Sequence, residues 1–186
     1  MKKGQIWVSA ILYLALGLII IGLILGIAMP LVNKMRDRNK FIQTKTLLVD
    51  LNENIVAVIN EGPGSKRFLS PFTIDKGKLY LAVPDEENTL ISIIYWEFET
   101  KSEIVAKDVV FNEGDLSYKL RETDIAGDYV ITATLKYTKA DLDLPSNDNQ
   151  YKLSNPFIGT YSMTIENSGY DESENNPTVT IFMKTT

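Results

Sequence analysis

The pattern of apolar and polar positions changes twice along this chain, and each pattern predicts a different element. Residues Gln5–Asn33 form one uncharged, largely apolar run. Beyond Phe41, apolar residues recur every three or four positions, which is the spacing of one helix face (Leu48, Leu51, Ile55, Val58, Ile59). After Gly62 and Pro63 the period becomes two, as in β-strands. The chain therefore predicts a long N-terminal helix and a β-rich head.

The apolar run is flanked by basic residues on both sides: Lys2 and Lys3 before it, and Lys34, Arg36, Arg38 and Lys40 after it. It exceeds the ~20 residues that cross a bilayer, so residues 5–33 are predicted to be a transmembrane helix or a helix that packs in an apolar bundle. A signal-peptidase-like site, Gly26-Ile27-Ala28, lies deep inside the run, which is longer than an ordinary secretory signal. The flanking charges alone do not favour a cytoplasmic N-terminus.

The helix is predicted to continue to residue 61 and to span about 85 Å at 1.5 Å per residue. Residues 34–61 are amphipathic, and their apolar stripe needs a partner domain to cover it. Gly22 and Gly26 form a G-x-x-x-G pair, and with Gly17 they are candidates for helix–helix packing. The alternative is that glycine is simply common in membrane helices. Pro30 should kink the helix because it lacks an N–H.

Residues 62–67 are predicted to be a hinge, and residues 68–186 a head. The alternating segments of the head are Lys78–Pro84, Thr89–Thr100, Glu103–Phe111, Leu116–Arg121, Asp128–Thr138, Gly159–Glu166 and Thr178–Lys184. Seven or eight strands at this spacing predict an antiparallel β-sandwich, so the fold class is α+β. One detail favours an immunoglobulin-like arrangement of this sandwich. The stretch Asp124–Tyr129 is similar to the approach to a tyrosine corner, or is a plain turn before a strand tyrosine.

Composition excludes several functions. The 186 residues contain no cysteine and no histidine, which removes disulfides, thiolate metal sites and the commonest general base. Residues 1–40 hold six Lys/Arg and one acid, whereas residues 41–186 hold 13 Lys/Arg and 23 Asp/Glu. Because nucleic-acid binding depends on neutralising phosphates, an acidic head predicts no nucleic-acid partner.

No catalytic motif was found, so we expect no enzyme activity and no cofactor. The acidic groups Asp85/Glu86/Glu87 and Asp171/Glu172/Glu174 fit solvated turns. The oxygen donors of Asp141–Asn149 suit Ca²⁺ in type, but their spacing does not match a calcium loop, and a solvated loop is the preferred interpretation. Trp96, in a predicted central strand, is expected to pack in the core.

The N-terminal residues carry a resemblance to a known family. Lys2-Lys3-Gly4-Gln5, placed directly before an apolar helix, resembles the class III signal peptide of archaeal type IV pilins and archaellins. The stretches Met35–Arg38 and Asn60–Arg67 are similar to those of archaeal pilin-like proteins, so the resemblance covers about the first 67 residues. It implies a leader, residues 1–4, that a prepilin peptidase removes by cutting between Gly4 and Gln5, with Lys2 and Lys3 as recognition residues.

The resemblance further implies a structural subunit of a surface filament, either a major or a minor pilin. The apolar helix would pack with copies of itself or with other pilins, and the head would lie outside the cell. Such pilins often carry glutamate at the fifth mature position, where this chain has Ser9. The alternative is a monomeric, single-pass membrane-anchored ectodomain that acts as an adhesin or binding module. Adhesion, motility and DNA uptake would all use the same N-terminal half.

Overall fold

A single helix, α1 (Lys3–Glu61), runs from the apolar segment into the head without interruption. The computed structural model of the chain describes the backbone of residues 3–84, 91–145, 156–170 and 176–185, and within them the side chains other than those of 3–6, 8 and 82–84. The helix ends where Gly62 adopts a φ of 89°, a left-handed conformation that glycine takes without steric cost. Pro30 lies inside the helix.

The head is an eight-stranded sheet in the order β3-β4-β5-β2-β1-β7-β8-β6. The strands are β1 (Lys66–Pro84), β2 (Ser92–Thr100), β3 (Val110–Glu113), β4 (Leu116–Glu122), β5 (Tyr129–Tyr137), β6 (Asp141–Asp143), β7 (Phe157–Tyr170) and β8 (Pro177–Thr185). All neighbouring strands pair antiparallel except β6 and β8, which pair parallel. The sheet is therefore mixed but mostly antiparallel.

The long strand β1 changes partner along its length. Its first half pairs with β7 and its second half with β2, and its register with β7 shifts between Ile74 and Leu79. Gly77 lies in this interval with a φ of 81°. The indole Nε1 of Trp96 donates a hydrogen bond to the carbonyl oxygen of Lys76 at 2.9 Å. This segment, the β1 bend (Asp75–Lys78), joins the two halves of the sheet.

The sheet is curved but not closed. Strands β2 and β6 are separated by three strands in the sheet order. Nevertheless, the backbone N–H of Leu142 in β6 donates to the hydroxyl of Ser92 in β2 at 3.1 Å. This contact requires one end of the sheet to curl back towards its middle.

The hydrophobic core lies between α1 and one face of the sheet. The helix contributes to this core six residues with exposures of 5% or less: Phe41, Thr44, Leu48, Leu51, Ile55 and Val58. Buried and exposed positions alternate along β2 and β5, because successive strand side chains point to opposite faces. Trp96 is fully buried, which confirms its predicted role in the core.

The α+β class is confirmed, whereas the immunoglobulin-like sandwich is not seen. The described strands belong to one sheet, with no second sheet packed against it. The physical reason is that α1 already covers the apolar face of the sheet. Tyr129 begins β5 after a tight turn, and that turn is held by Thr123, whose hydroxyl donates to the carbonyl oxygen of Asp128 at 3.1 Å.

Several predicted strand boundaries were wrong. Most of the predicted strand Glu103–Phe111 is irregular, and β3 begins at Val110. Strand β1 begins at Lys66, inside the predicted hinge, and was predicted only from Lys78 onward. Strand β6 lies within the predicted loop Asp141–Asn149. Strand β7 continues to Tyr170, because Asn167 and Gly169 form a bulge rather than a loop.

Candidate functional site: the exposed helix and its junction with the head

The first half of α1 presents apolar side chains that nothing in the described chain covers. One stretch near the N-terminus has a mean hydropathy of 2.8, and none of it is buried. Trp7, Ile11, Tyr13, Leu23 and Ile27 are 63–76% exposed. By length and composition the helix can span a membrane, and a signal sequence passes the same criterion.

This exposure makes the apolar half a candidate contact surface. Burying one large aliphatic side chain is worth about 1.5–3 kcal/mol. Exposed apolar patches on soluble monomers rarely exceed a few hundred Å². A helix that is apolar on all sides therefore requires lipid or protein around it.

The three candidate packing glycines lie on this exposed half. A Cβ atom built on Gly17, Gly22 or Gly26 would meet nothing within 4 Å. No contact within the described chain therefore requires glycine at these positions. Their use in helix packing remains a prediction, as does the kink at Pro30.

The structure places the leader residues only in part. The backbone of Lys3, Gly4 and Gln5 belongs to α1, whereas Lys2 lies outside the described residues. Cleavage between Gly4 and Gln5 remains a prediction.

Within the described part of the chain, Asp37 is the first helix residue that is hydrogen-bonded to the head. Its carboxylate accepts hydrogen bonds from Lys76 Nζ at 3.0 Å and from Thr100 Oγ1 at 2.7 Å, and its side chain is only 13% exposed. One turn further along the helix, Lys40 pairs with Asp75. Both contacts reach the β1 bend, so they attach the head close to the end of the apolar run.

The other three basic residues that follow the apolar run differ from Lys40 in their contacts. Within the described part of the chain, Lys34, Arg36 and Arg38 are exposed and have no ion-pair partner. An open cavity of about 720 Å³ lies beside them, lined by Asn33 and Arg36 of the helix and by Lys101, Asp124 and Ile125 of the head.

The far end of the helix is tied to the sheet by Asn167. Its side-chain amide donates to the carbonyl oxygen of Val58 at 3.2 Å, and Ser65 Oγ donates to the same oxygen at 2.8 Å. Backbone hydrogen bonds join Gly64 and Ser65 to Asn167 at 2.8 and 3.0 Å. The predicted hinge region is thus hydrogen-bonded to β7.

Sequence reasoning missed the roles of Asp37 and Asn167. Asp37 is the single acid within the basic flank, and that isolation is a signal that could have marked it. Asn167 precedes Ser168 and Gly169, which is a turn pattern, so only its long-range contact with Val58 identifies it.

Among the described residues, no cluster of three or more acidic side chains able to hold a metal occurs. Asp141 and Asp143 belong to β6, whereas Asn147, Asp148 and Asn149 lie outside the described residues. The two acidic groups at 85–87 and 171–174 also lie outside them.

Comparison with known proteins adds no family. No protein-family model, no curated protein and no solved structure matches the chain. Arguments about function therefore rest on the chain's own sequence and geometry.

Proposed function

We propose that this chain is a structural subunit of an archaeal type IV pilus-like surface filament. The observation that carries the proposal is the half-exposed helix: one half packs on the sheet, and the other half is apolar all round. A pilin-like architecture of this kind gives the exposed half two successive environments. It spans the membrane before assembly and packs among sister helices afterwards.

Polar contacts at both ends of the packed part of the helix support this role. Asp37 joins the middle of the helix to β1 and β2, and Asn167 joins the C-terminal end of the helix to β7. A head held at two points moves with its helix. Force carried by a helical filament core would therefore reach the head without a flexible linker.

The N-terminal residues supply the route to the membrane and out of it. A prepilin peptidase would recognise Lys2 and Lys3 and cut between Gly4 and Gln5. Gly22 and Gly26 would then allow close approach of neighbouring helices. The mature chain would begin with the apolar helix, and the head would face the outside of the cell.

A second candidate function is a monomeric, single-pass anchored ectodomain that acts as an adhesin or binding module. The observation that favours it is the absence of any acid in Gln5–Asn33, including at Ser9, where pilins often carry glutamate. Such a protein would use the same helix only as an anchor.

Negative-stain electron microscopy of the source cells distinguishes the two candidates. With an antibody against the head, filament assembly predicts labelled helical filaments. Label spread over the cell envelope with no filaments would reject the filament subunit and support the monomeric anchor.

A further inference from the structure

We propose that the underside of the head is a membrane-contacting surface, with Ile125 entering the interfacial layer of the bilayer that holds α1. The underside is the surface formed by the β1 bend, the Thr100–Ser102 bend and the Thr123–Asp128 turn. The inference rests on the membrane anchoring in the proposed function and concerns the subunit before assembly. The occupant of this surface is the phospholipid bilayer itself.

The distribution of polar side chains along the helix indicates where the bilayer lies. Gln5 and Ser9 are polar, but between Ala10 and Val32 the only side chain with a polar group is Tyr13. This stretch covers about 34 Å at 1.5 Å per residue. A hydrocarbon core is about 30 Å thick. The hydrocarbon therefore ends near Val32, and Lys34, the first charge, lies among the headgroups.

The hydrogen bonds at Asp37 indicate where the head lies relative to the bilayer. Asp37, the first helix residue bonded to the head within the described chain, follows Val32 by about 7.5 Å of helix. The headgroup region on each side of a bilayer is roughly 5–7 Å thick. The bonds from Lys76 and Thr100 to Asp37 therefore hold the underside at the level of the headgroups.

Ile125 is an apolar residue on the underside and is 67% exposed. Its turn is fixed, since Thr123 Oγ1 accepts a bond from the Ile125 N–H at 3.2 Å, and Glu122 accepts one from the Gly127 N–H at 3.1 Å. Ile125 and Asn33 line the same cavity, so the turn overhangs the helix next to the end of its apolar run. An apolar side chain held there gains by entering the interface.

Charged side chains lie around Ile125. Lys34, Arg36 and Arg38 have no ion-pair partner within the described chain, and lipid phosphates would supply one. The Lys101 side chain is 88% exposed and lies 3.9 Å from Asp128. Glu99 and Asp124 line the same cavity, so the underside carries both signs. A zwitterionic headgroup, with a phosphate and a cationic amine, matches this mixture.

The test uses the full chain in phosphatidylcholine nanodiscs. Because the chain has no cysteine, each substitution creates a single labelling site. An environment-sensitive fluorophore is attached to Ile125→Cys, or to Tyr170→Cys at the opposite end of the head. Tyr170 is 65% exposed and is therefore a matched control. Val32→Cys reports insertion of the helix, and Asp124→Cys is a second probe on the same turn.

The readout is quenching by phosphatidylcholine that carries a headgroup spin label. The inference predicts quenching at residues 32, 124 and 125 that is several-fold stronger than at residue 170. Quenching at residue 32, with residue 125 no different from residue 170, would overturn the membrane-contacting underside and leave the anchor standing. Equal quenching of all sites would also overturn it, because the head would then lie on its side. No quenching at residue 32 would overturn both the underside and the membrane anchor.

Discussion

The amide of Asn167 connects two parts of the chain that are 109 residues apart. It is 1% exposed, donates to Val58 and accepts from the N–H of Gly169 at 3.0 Å. Buried polar groups are tolerated when they are hydrogen-bonded in this way. At the scale of single residues, Asn167 therefore adds a specific polar link to the apolar contact between helix and sheet.

Asn167→Ala should lower the free energy of unfolding by about 1–3 kcal/mol, the usual cost of leaving a buried partner unsatisfied. Asn60→Ala, an exposed asparagine near the same helix end, should change it by less than about 0.5 kcal/mol. Denaturant unfolding of the full chain in detergent, followed by fluorescence of the buried Trp96, measures both. Equal unfolding midpoints for the two variants would contradict this role.

Tyr137 makes stability depend on alkaline pH. Burial raises the pKa of its hydroxyl above the usual value, and Asp115 adds to the effect. The hydroxyl donates to Asn52 Oδ1 at 2.9 Å. Because only the unfolded state can release this proton near the ordinary tyrosine pKa of about 10, the stabilisation is complete below that pH and declines above it.

Tyr137→Phe should therefore cost about 1 kcal/mol near neutral pH through the lost hydrogen bond. Above pH of about 10 the difference from the parent chain should shrink, because phenylalanine has no proton to release in the unfolded state. Denaturant unfolding of both chains across this pH range measures the difference, and the other tyrosines cancel between them. A difference that is constant with pH would contradict the account.

At the scale of elements, the helix and the regular strands could be predicted from the sequence. The stripe from Leu48 to Val58 predicted a buried helix face, and the alternation in β5 predicted that strand closely. The first half of β1 was not predicted, because Pro71 interrupts its pattern and the register with β7 shifts there, between Leu69 and Phe72. Strand β6 has three residues, too few for any period to show.

Gly77 in the β1 bend and Gly114 between β3 and β4 give a matched pair of glycine substitutions. A Cβ at Gly77 would lie 2.5 Å from the carbonyl oxygen of Glu97 and 2.5 Å from Trp96 Nε1, whereas one at Gly114 would meet nothing within 4 Å. Both glycines have positive φ, 81° and 61°. Gly114→Ala should therefore cost about 1–2 kcal/mol from backbone strain alone.

Gly77→Ala should cost at least about 2 kcal/mol more than Gly114→Ala, because it adds a clash with backbone and with the Trp96 indole. Thermal unfolding of the two variants in parallel measures the difference. Equal melting temperatures would show that the bend can relax around an added methyl group.

At the scale of the whole molecule, sequence periodicity could not indicate how many layers the head has. Alternation shows that one face of each strand is buried but not whether a sheet or a helix covers it. The same amphipathic stripe that ends at Val58 supplies that cover, so one sheet suffices. The exposed apolar half remained identifiable because length and charge alone define it.

Helix packing in a filament predicts that Gly22→Leu and Gly26→Leu abolish assembly in cells, since a large side chain separates neighbouring helices. The head should be unaffected, because neither glycine lies near another part of the chain. Filament yield by electron microscopy and head stability by thermal unfolding measure the two effects. The control Leu25→Ile conserves volume and should assemble normally. Filaments of normal yield from either glycine variant would contradict close helix packing.

We expect the apolar helix to stay in the mature protein as its contact surface. Intact-mass and N-terminal peptide mass spectrometry of the protein from its native cells tests this directly. If the helix is retained, the mature chain begins at Gln5, after removal of Met1–Gly4. A chain that begins at Met29, after cleavage behind Ala28, would lack most of that surface and would contradict the account.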